Sequence, residues 1–156
     1  MEDHTYFVGE HGVLVHNKCD GSGLDDFDKK FKNASEKISN KVSSVDGKSY
    51  ATGYDGEKAL ADLVGGESQV YKSTSMGGRY IDQMADGIAH ESKVGRTSLS
   101  RRVKKQILKD AELMATGEIE GAHWHFFRSG VTGKIGGTQP LLDYLTEKGI
   151  PYTIHY

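Results

Sequence analysis

The chain has 156 residues, of which 36% are hydrophobic and 27% are charged, and its formal net charge is −2. This length suits one domain with a sizeable core plus an extended segment, and a nucleic-acid binder with this charge must concentrate its basic residues on one face. No apolar run reaches the roughly 18 residues of a membrane span, the amino end carries no secretion signal pattern, and a single cysteine, Cys19, excludes an intrachain disulfide.

Two short β-rich runs around a glycine-bearing turn open the chain and predict a hairpin. The second run ends in Val15-His16-Asn17, and these residues resemble the last strands of a Hint (hedgehog/intein) module of the pretoxin type. The resemblance implies that the Asn17 side chain cyclises with help from His16 and cuts the chain after Asn17. Lys18 follows instead of Cys, Ser or Thr, so we expect cleavage without ligation. Because the nucleophile end of such a module is missing here, we interpret residues 1–17 as a remnant that does not cleave itself.

Residues 18–50 are linker-like, since they open with Gly21-Ser22-Gly23 and are rich in Lys, Asp, Ser and Asn. Apolar residues recur in this stretch every three or four positions, which also fits an amphipathic helix. Both interpretations stay open. The recurring residues are Leu24, Phe27, Phe31, Ala34, Ile38 and Val42.

The remaining residues, 51–156, predict one α/β domain. Helical spacing of apolar residues, period-two alternation and Gly or Pro punctuation indicate a mixed sheet with helices on both faces, in the order α-β-β-β-α-β-α-β. The three strands between the first two helices are expected to form an antiparallel meander. The predicted helices are Thr52–Val64, Ser98–Met114 (capped by Thr97 or Ser98) and a third starting at Pro140; the strands are Ser68–Thr74, Arg79–Asp82, Gly87–Val94, Ala122–Phe127 and Pro151–Tyr156.

An aspartate followed on the next strand by Glu-x-Lys is the main chemical candidate. Glu91 and Lys93 are two residues apart on a strand and project from one face, and Asp82 on the preceding strand can lie beside them. Two carboxylates can hold one divalent cation, and a neighbouring lysine can position water or neutralise charge on a phosphate. A cross-strand salt bridge explains the same residues without catalysis.

The context of this trio resembles the PD-(D/E)xK nuclease superfamily, which has the restriction-endonuclease-like fold. The trio lies on a strand-turn-strand followed by a helix that carries glutamine beside its core stripe, and the resemblance covers roughly residues 52–155. Isoleucine replaces the family's proline before the aspartate. The resemblance implies a catalytic set formed by Asp82 and Glu91 as metal ligands, Lys93, Gln106 on the helix, and Glu57 on the first helix.

Arg79-Tyr80-Ile81-Asp82 and His90-Glu91-Ser92-Lys93-Val94-Gly95 look especially like nuclease domains at the ends of bacterial polymorphic and contact-dependent toxins. The resemblance implies a nuclease that is secreted or delivered as the C-terminal end of a larger protein. It would cut DNA in the target-cell cytoplasm with Mg²⁺, or with Mn²⁺ or Zn²⁺, and a cognate immunity protein would restrain it. The rival interpretations are an RNase toxin on the same fold, for example one that cuts tRNA, and a non-enzymatic nucleic-acid or protein binding module.

Several other side chains remain open between a structural and a functional role. Glu57 is either favoured by the helix dipole or an auxiliary ligand. Asp86 is an alternative to Asp82 as metal ligand, because the register across Gly87 is uncertain. The basic cluster of the second helix is either a solvated face or a phosphate-binding surface. Its members are Arg101, Arg102, Lys104 and Lys105.

The histidines and aromatic residues favour structural roles. His90 faces the side of its strand opposite to Glu91, which predicts a core or hydrogen-bonded histidine. His123 and His125 share one strand face and can form a metal pair, but no third ligand has a recognisable spacing. We predict that Trp124, Phe126 and Phe127 belong to the core.

Overall fold

The structure, a computed structural model, describes residues 5–8, 13–16 and 47–156. Strands β1 (Thr5–Val8) and β2 (Val13–His16) pair in antiparallel fashion, with Thr5 opposite His16. The predicted amino-terminal hairpin is therefore confirmed. Asn17 and most of the predicted linker, including its amphipathic pattern, lie outside the described residues.

The domain over residues 47–156 contains every helix and strand that the sequence predicts, with ends shifted by a few residues. An additional strand, β3, lies where the sequence predicts linker: Ser49 and Tyr50 pair in parallel with Arg128 and Ser129. The domain therefore begins before residue 51. Its elements are β3 (Ser49–Tyr50), α1 (Gly53–Val64), β4 (Glu67–Lys72), β5 (Arg79–Ala85), β6 (Ile88–Val94), α2 (Arg101–Ala115), β7 (Gly121–Ser129), α3 (Gln139–Glu147) and β8 (Tyr152–His155).

The six strands of this domain form one mixed sheet. β4, β5 and β6 make the predicted antiparallel meander, and β7 lies parallel to β6. The other side of β7 pairs in parallel with β8 and, near its end, with β3. Glu91 is opposite Trp124 and Lys93 is opposite Phe126 in the β6–β7 ladder, so these four side chains share one face of the sheet.

Two hydrophobic clusters show that the helices cover both faces of the sheet. Phe126 and Phe127 are consecutive on β7, point to opposite faces, and are both fully buried. Phe127 packs with Leu60 and Leu63 of α1. Phe126 and Trp124 belong to the larger cluster with residues of α2 and α3, namely Ile107, Leu113, Leu141 and Leu145. The predicted core positions of the three aromatic residues are confirmed, and no helix in the described part of the chain has the length and apolar character of a membrane span.

The start of α2 differs from the prediction. Ser100 is the N-cap, and its side-chain oxygen accepts the Val103 N–H at 3.3 Å. Thr97 is unavailable for this role because it bridges to Gly137 and its N–H donates to the Gly136 carbonyl at 2.9 Å. A tertiary contact thus overrides the local capping signal and moves the helix start to Arg101.

Gly56 lets α1 approach the sheet closely. A Cβ atom at this position would collide with Val94 Cγ2 and would lie 2.9 Å from Ser92 Oγ. The next residue is Glu57, so the missing side chain also determines how near that carboxylate comes to β5 and β6. The amino end of α1 is fixed by a capping box between Thr52 and Asp55.

Adding a methyl group at Gly56 should overpack the α1–β6 contact. We expect Gly56→Ala to lower the free energy of unfolding, measured in urea, by about 1–3 kcal/mol. Gly53→Ala in the same helix is the matched control, since nothing lies within 4 Å of its added methyl group, and it should be neutral or slightly stabilising. Equal effects of the two substitutions would contradict the proposed close approach.

Candidate active site

The candidate site lies where β5 and β6 stop pairing. Their ladder joins Gln83–Ala85 to Ile88–His90, and just beyond it Asp82 Oδ2 accepts the N–H of Ser92 at 2.9 Å. A side-chain carboxylate thus replaces the main-chain acceptor of a regular ladder. β4 is irregular at the same level, because Gln69 has φ 56° and is skipped in the β4–β5 ladder. These features place the Asp82 carboxylate in a gap between two strands.

Glu91 is the most buried of the predicted catalytic residues, with 2% of its surface exposed. Its Oε2 accepts from Arg79 Nη2 at 2.8 Å. Its Oε1 accepts from the Lys93 ammonium and, at 3.3 Å, from Gln106 Nε2. Lys93 Nζ also donates to Gln106 Oε1 at 3.2 Å and lies 5.0 Å from the centre of the Trp124 ring. The structure therefore brings Glu91, Lys93 and Gln106 into direct contact.

Arg79, which contacts Glu91, and Asp110, which contacts Arg79, were not predicted as site residues from the sequence. Arg79 Nε donates to Asp110 Oδ1 at 2.7 Å, Arg79 Nη2 donates to Oδ2 at 3.2 Å, and Trp124 Nε1 donates to Asp110 Oδ2 at 3.1 Å. Two signals were present in the sequence. Asp110 follows Gln106 by one helical turn, and Arg79 occupies the same strand face as the buried Ile81.

Burial and pairing have opposite effects on these charges. Burial disfavours the charged form of Arg79, but the carboxylates of Glu91 and Asp110 outweigh it and raise the pKa of the guanidinium. Burial alone would raise the pKa of Glu91, but Lys93 and Arg79 lower it below its ordinary value. Glu91 is therefore a charge that is satisfied by the protein itself.

Asp82 is in a different electrostatic situation. The pKa of Asp82 is raised to about 7. Burial is the largest cause, the charges of Glu91 and Glu57 raise the pKa further, and the Ser92 N–H and Lys93 oppose the rise. Glu57 also accepts from Gln69 Nε2 at 3.2 Å. The carboxylates of Glu91 and Glu57 and the ammonium of Lys93 thus act on Asp82 through space.

β5 is irregular at Asp82, where its side chains change face. Ile81 belongs to the cluster on the α2 side, whereas Gln83 pairs with His90 and donates to the Gly65 carbonyl at the end of α1. The Asp82 carboxylate lies at this change of face and is directed at the main chain of β6. The gap between the strands is what allows the two charges to interact.

If a divalent cation binds here, the donor set suits Mg²⁺ rather than Zn²⁺. The described residues hold no group of three or more His, Cys, Asp or Glu arranged for a metal. Mg²⁺ is commonly held by one or two carboxylates and keeps several waters, whereas Zn²⁺ takes at least three protein ligands. Asp82 and Glu91 would hold the cation, whose charge would offset the burial of Asp82 and take over Glu91 Oε1 from Lys93.

Four histidines form a buried group on the face of the sheet opposite to Glu91. His90 Nδ1 lies 3.0 Å from His125 Nε2, and His125 Nδ1 lies 3.0 Å from His155 Nε2. The predicted hydrogen-bonded role of His90 is confirmed. The rings of His123 and His125 stack 4.4 Å apart, but both nitrogens of His125 and the Nε2 of His123, which lies 2.8 Å from Thr153 Oγ1, are already in hydrogen bonds. Burial lowers the pKa of His90 to about 4 and that of His125 well below its ordinary value.

The remaining candidates lie at or outside the margin of the site. Asp86 is exposed in the β5–β6 turn at φ 49°, and its charge acts on His90, so it is not placed to share a cation with Glu91. His16 lies in β2, outside residues 47–156. The basic cluster is exposed at the start of α2, where Arg102 precedes Gln106 by one turn and Lys104 lies 5.3 Å from the centre of the Tyr144 ring of α3.

Comparisons of the chain with protein-family models, with curated proteins and with solved structures each found no match. What the site can do is therefore inferred from the chemistry of its own residues.

Arg79→Met should destabilise the domain strongly, because it leaves Asp110 buried without its cation and takes one partner from Glu91. We expect a loss of about 3–5 kcal/mol in the free energy of unfolding. Lys72→Met is the control, since Lys72 and Glu118 form a surface pair at 3.5 Å, and its removal should cost less than about 1 kcal/mol. A cost for Arg79→Met as small as that of the control would exclude a central structural role for Arg79.

The pH dependence of stability should show two opposing contributions. His90, His123 and His125 have lowered pKa values in the folded state, so the unfolded chain binds protons first and each histidine lowers stability as the pH falls through about 6.5. Asp82 has a raised pKa of about 7, so the folded state takes up a proton as the pH falls through 7, and stability rises. We therefore expect the free energy of unfolding of the wild-type chain to fall between pH 7.5 and pH 5.0, but by less than the histidines alone would cause.

Asp82→Asn should remove the opposing contribution and make acid destabilisation steeper. The measurement is urea unfolding at pH 7.5 and pH 5.0 in EDTA for both proteins. If the substitution leaves the difference between the two pH values unchanged, Asp82 does not titrate as its environment indicates.

Proposed function

We propose that this domain is a metal-dependent nuclease toxin that hydrolyses phosphodiester bonds in DNA. The observation that carries the proposal is the convergence of Asp82, Glu91 and Lys93 at the gap between β5 and β6. Asp82 is the most informative of them, since its charge is disfavoured there unless a cation is bound. The identification of the mixed sheet as restriction-endonuclease-like, delivery from a bacterium, and restraint by a cognate immunity protein all belong to the same proposal.

Each residue has a definite part in such a reaction. Asp82 and Glu91 hold the cation, which when bound supplies a Lewis acid and an acidified water. Lys93 has three N–H donors, and two of them are directed at Glu91 and Gln106. The third is left for a water or a phosphate oxygen. Gln106 keeps the ammonium in place, and Glu57 assists at Asp82.

Access to the site is through Lys93 and Asp82. The side chain of Lys93 is 17% exposed and Asp82 is partly exposed, whereas Glu91 is buried. A phosphate would therefore meet the ammonium first. Arg102 lies on the flank of α2 that carries Gln106, so it extends the positive charge outward from Lys93 along the same helix. This arrangement serves DNA and RNA backbones equally, and an RNase on the same scaffold is the alternative within this proposal.

A second candidate function is a binding module without catalysis. The observation that favours it is the saturation of Glu91, whose two carboxylate oxygens already accept hydrogen bonds from Arg79, Lys93 and Gln106. In that case the trio is a buried salt-bridge network that stabilises the sheet. The two candidates differ in what they predict for Asp82, which is outside this network of hydrogen bonds.

Asp82→Asn should abolish cleavage without unfolding the protein. The measurement is cleavage of plasmid DNA and of total tRNA, each with Mg²⁺ and with EDTA. We expect metal-dependent cutting of the plasmid by the wild type, and a loss in the variant larger than the roughly 100-fold that an outer-shell residue costs. Because Asn avoids a poorly solvated charge, the free energy of unfolding in EDTA at pH 7.5 should be equal or higher.

Asp86→Asn is the matched control, since it removes an exposed carboxylate from the adjoining turn and should retain full activity. Cutting of tRNA alone would assign the RNase alternative. Unchanged cleavage by Asp82→Asn would remove Asp82 from the mechanism, and no cleavage of either substrate by the wild type would favour the binding module.

A further inference from the structure

Two tyrosines form an exposed aromatic pair on the β4–β5 hairpin. Tyr71 and Tyr80 face each other across the antiparallel ladder, and their ring centroids lie 5.2 Å apart at an interplanar angle of 60°. Tyr71 is 55% exposed and Tyr80 is 61% exposed. At such exposure a large part of each side chain is available for contact with a partner.

This pair is continuous with the proposed catalytic gap. Tyr80 precedes Asp82 by two residues on β5. Two residues of strand span about 7 Å. A group resting on Tyr80 would therefore be next to whatever is bound at Asp82.

Gly78 leaves the space that the Tyr71 ring occupies. A Cβ atom on Gly78 would lie 3.0 Å from Tyr71 Oη and 3.2 Å from Tyr71 Cζ, so the glycine gives the ring the space in which it lies. The Gly78 carbonyl accepts from Lys109 Nζ at 2.6 Å, which brings a positive charge to the same place. Lys109 lies on the flank of α2 that also carries Arg102 and Gln106.

We propose that Tyr71 and Tyr80 are a stacking platform for unpaired bases, so that the substrate of this site is a single-stranded stretch of polynucleotide. This inference rests on the proposed nuclease function and narrows its substrate. Aromatic side chains beside a positively charged track bind single strands because every unpaired base offers a π face, whereas the bases of a duplex are already stacked on one another. The phosphate next to a base on Tyr80 would lie near Asp82.

The experiment measures binding separately from cleavage. Fluorescence anisotropy in EDTA compares a labelled single-stranded DNA oligonucleotide with the same sequence as a duplex, for the wild type and for Tyr80→Ala and Tyr71→Ala. We expect each substitution to weaken single-strand binding by about 5-fold to 150-fold, which is the range for loss of one stacked base. Duplex binding should change little.

Tyr80→Trp supplies a fluorescence signal that would not change if Tyr80 had only a structural role. Trp124 is the single tryptophan of the wild type and is fully buried, so an added indole on the platform should be quenched by the single strand and hardly by the duplex. Tyr156→Trp is the matched control. Tyr156 is 67% exposed and follows β8, which lies near the edge of the sheet opposite to β4. Its fluorescence should not respond. Tyr80→Phe should bind as the wild type does.

The outcomes separate this inference from the nuclease proposal. Single-strand binding with indole quenching but without cleavage in Mg²⁺ would keep the platform and reject the nuclease. Cleavage with equal binding of single strand and duplex, unaffected by Tyr80→Ala, would keep the nuclease and reject the platform. An unquenched Tyr80→Trp, or a Tyr80→Phe variant as weak as Tyr80→Ala, would also overturn the stacking role.

Discussion

The Arg79 guanidinium is the interaction on which the rest of the domain depends. It binds Asp110 on α2 through two nitrogens and Glu91 on β6 through one of them, so a single side chain of β5 ties together two strands and a helix. Its planar fork of donors suits two carboxylates in a way that a lysine would not. With Arg79 in place Glu91 can be charged although it is buried, and Lys93 and Gln106 can then gather at its other oxygen.

The pKa values of the two acids of the candidate site, Asp82 and Glu91, are shifted in opposite directions. The protein supplies cations and hydrogen bonds to Glu91, and its pKa falls; it buries Asp82 near further negative charge, and the pKa rises to about 7. A buried ion network is weak evidence for stability, because apolar residues of similar size often do as well. Asp82 is better evidence for function, since accepting the Ser92 N–H does not require a carboxylate and the surroundings disfavour its charge.

Much of the fold could be predicted from the sequence because its signals are local. Helical spacing, strand alternation and glycine turns were sufficient for the helices, the strands and the antiparallel meander. The capping of α2 was wrong because Thr97 is drawn into a bridge with a distant residue. The partners of Glu91 were missed because Arg79 and Asp110 are 31 residues apart, and their local patterns indicate which face each occupies but not that the two meet. The direction of the Asp82 carboxylate depends on where β5 and β6 separate, and this is a property of the ladder.

The separation of β5 and β6 is what turns a salt-bridge network into a possible reaction centre. In a continuous ladder the Ser92 N–H would be paired with a main-chain carbonyl, and side chains on the two faces of the sheet would be isolated from each other. Here the ladder ends, the Asp82 carboxylate takes the place of the carbonyl, and charges from both faces act on one point. α1 reaches the same point because Gly56 lets Glu57 come close, and the exposed tyrosines begin two residues away. The opening in the sheet therefore accounts for the position of every candidate residue, whichever substrate it receives.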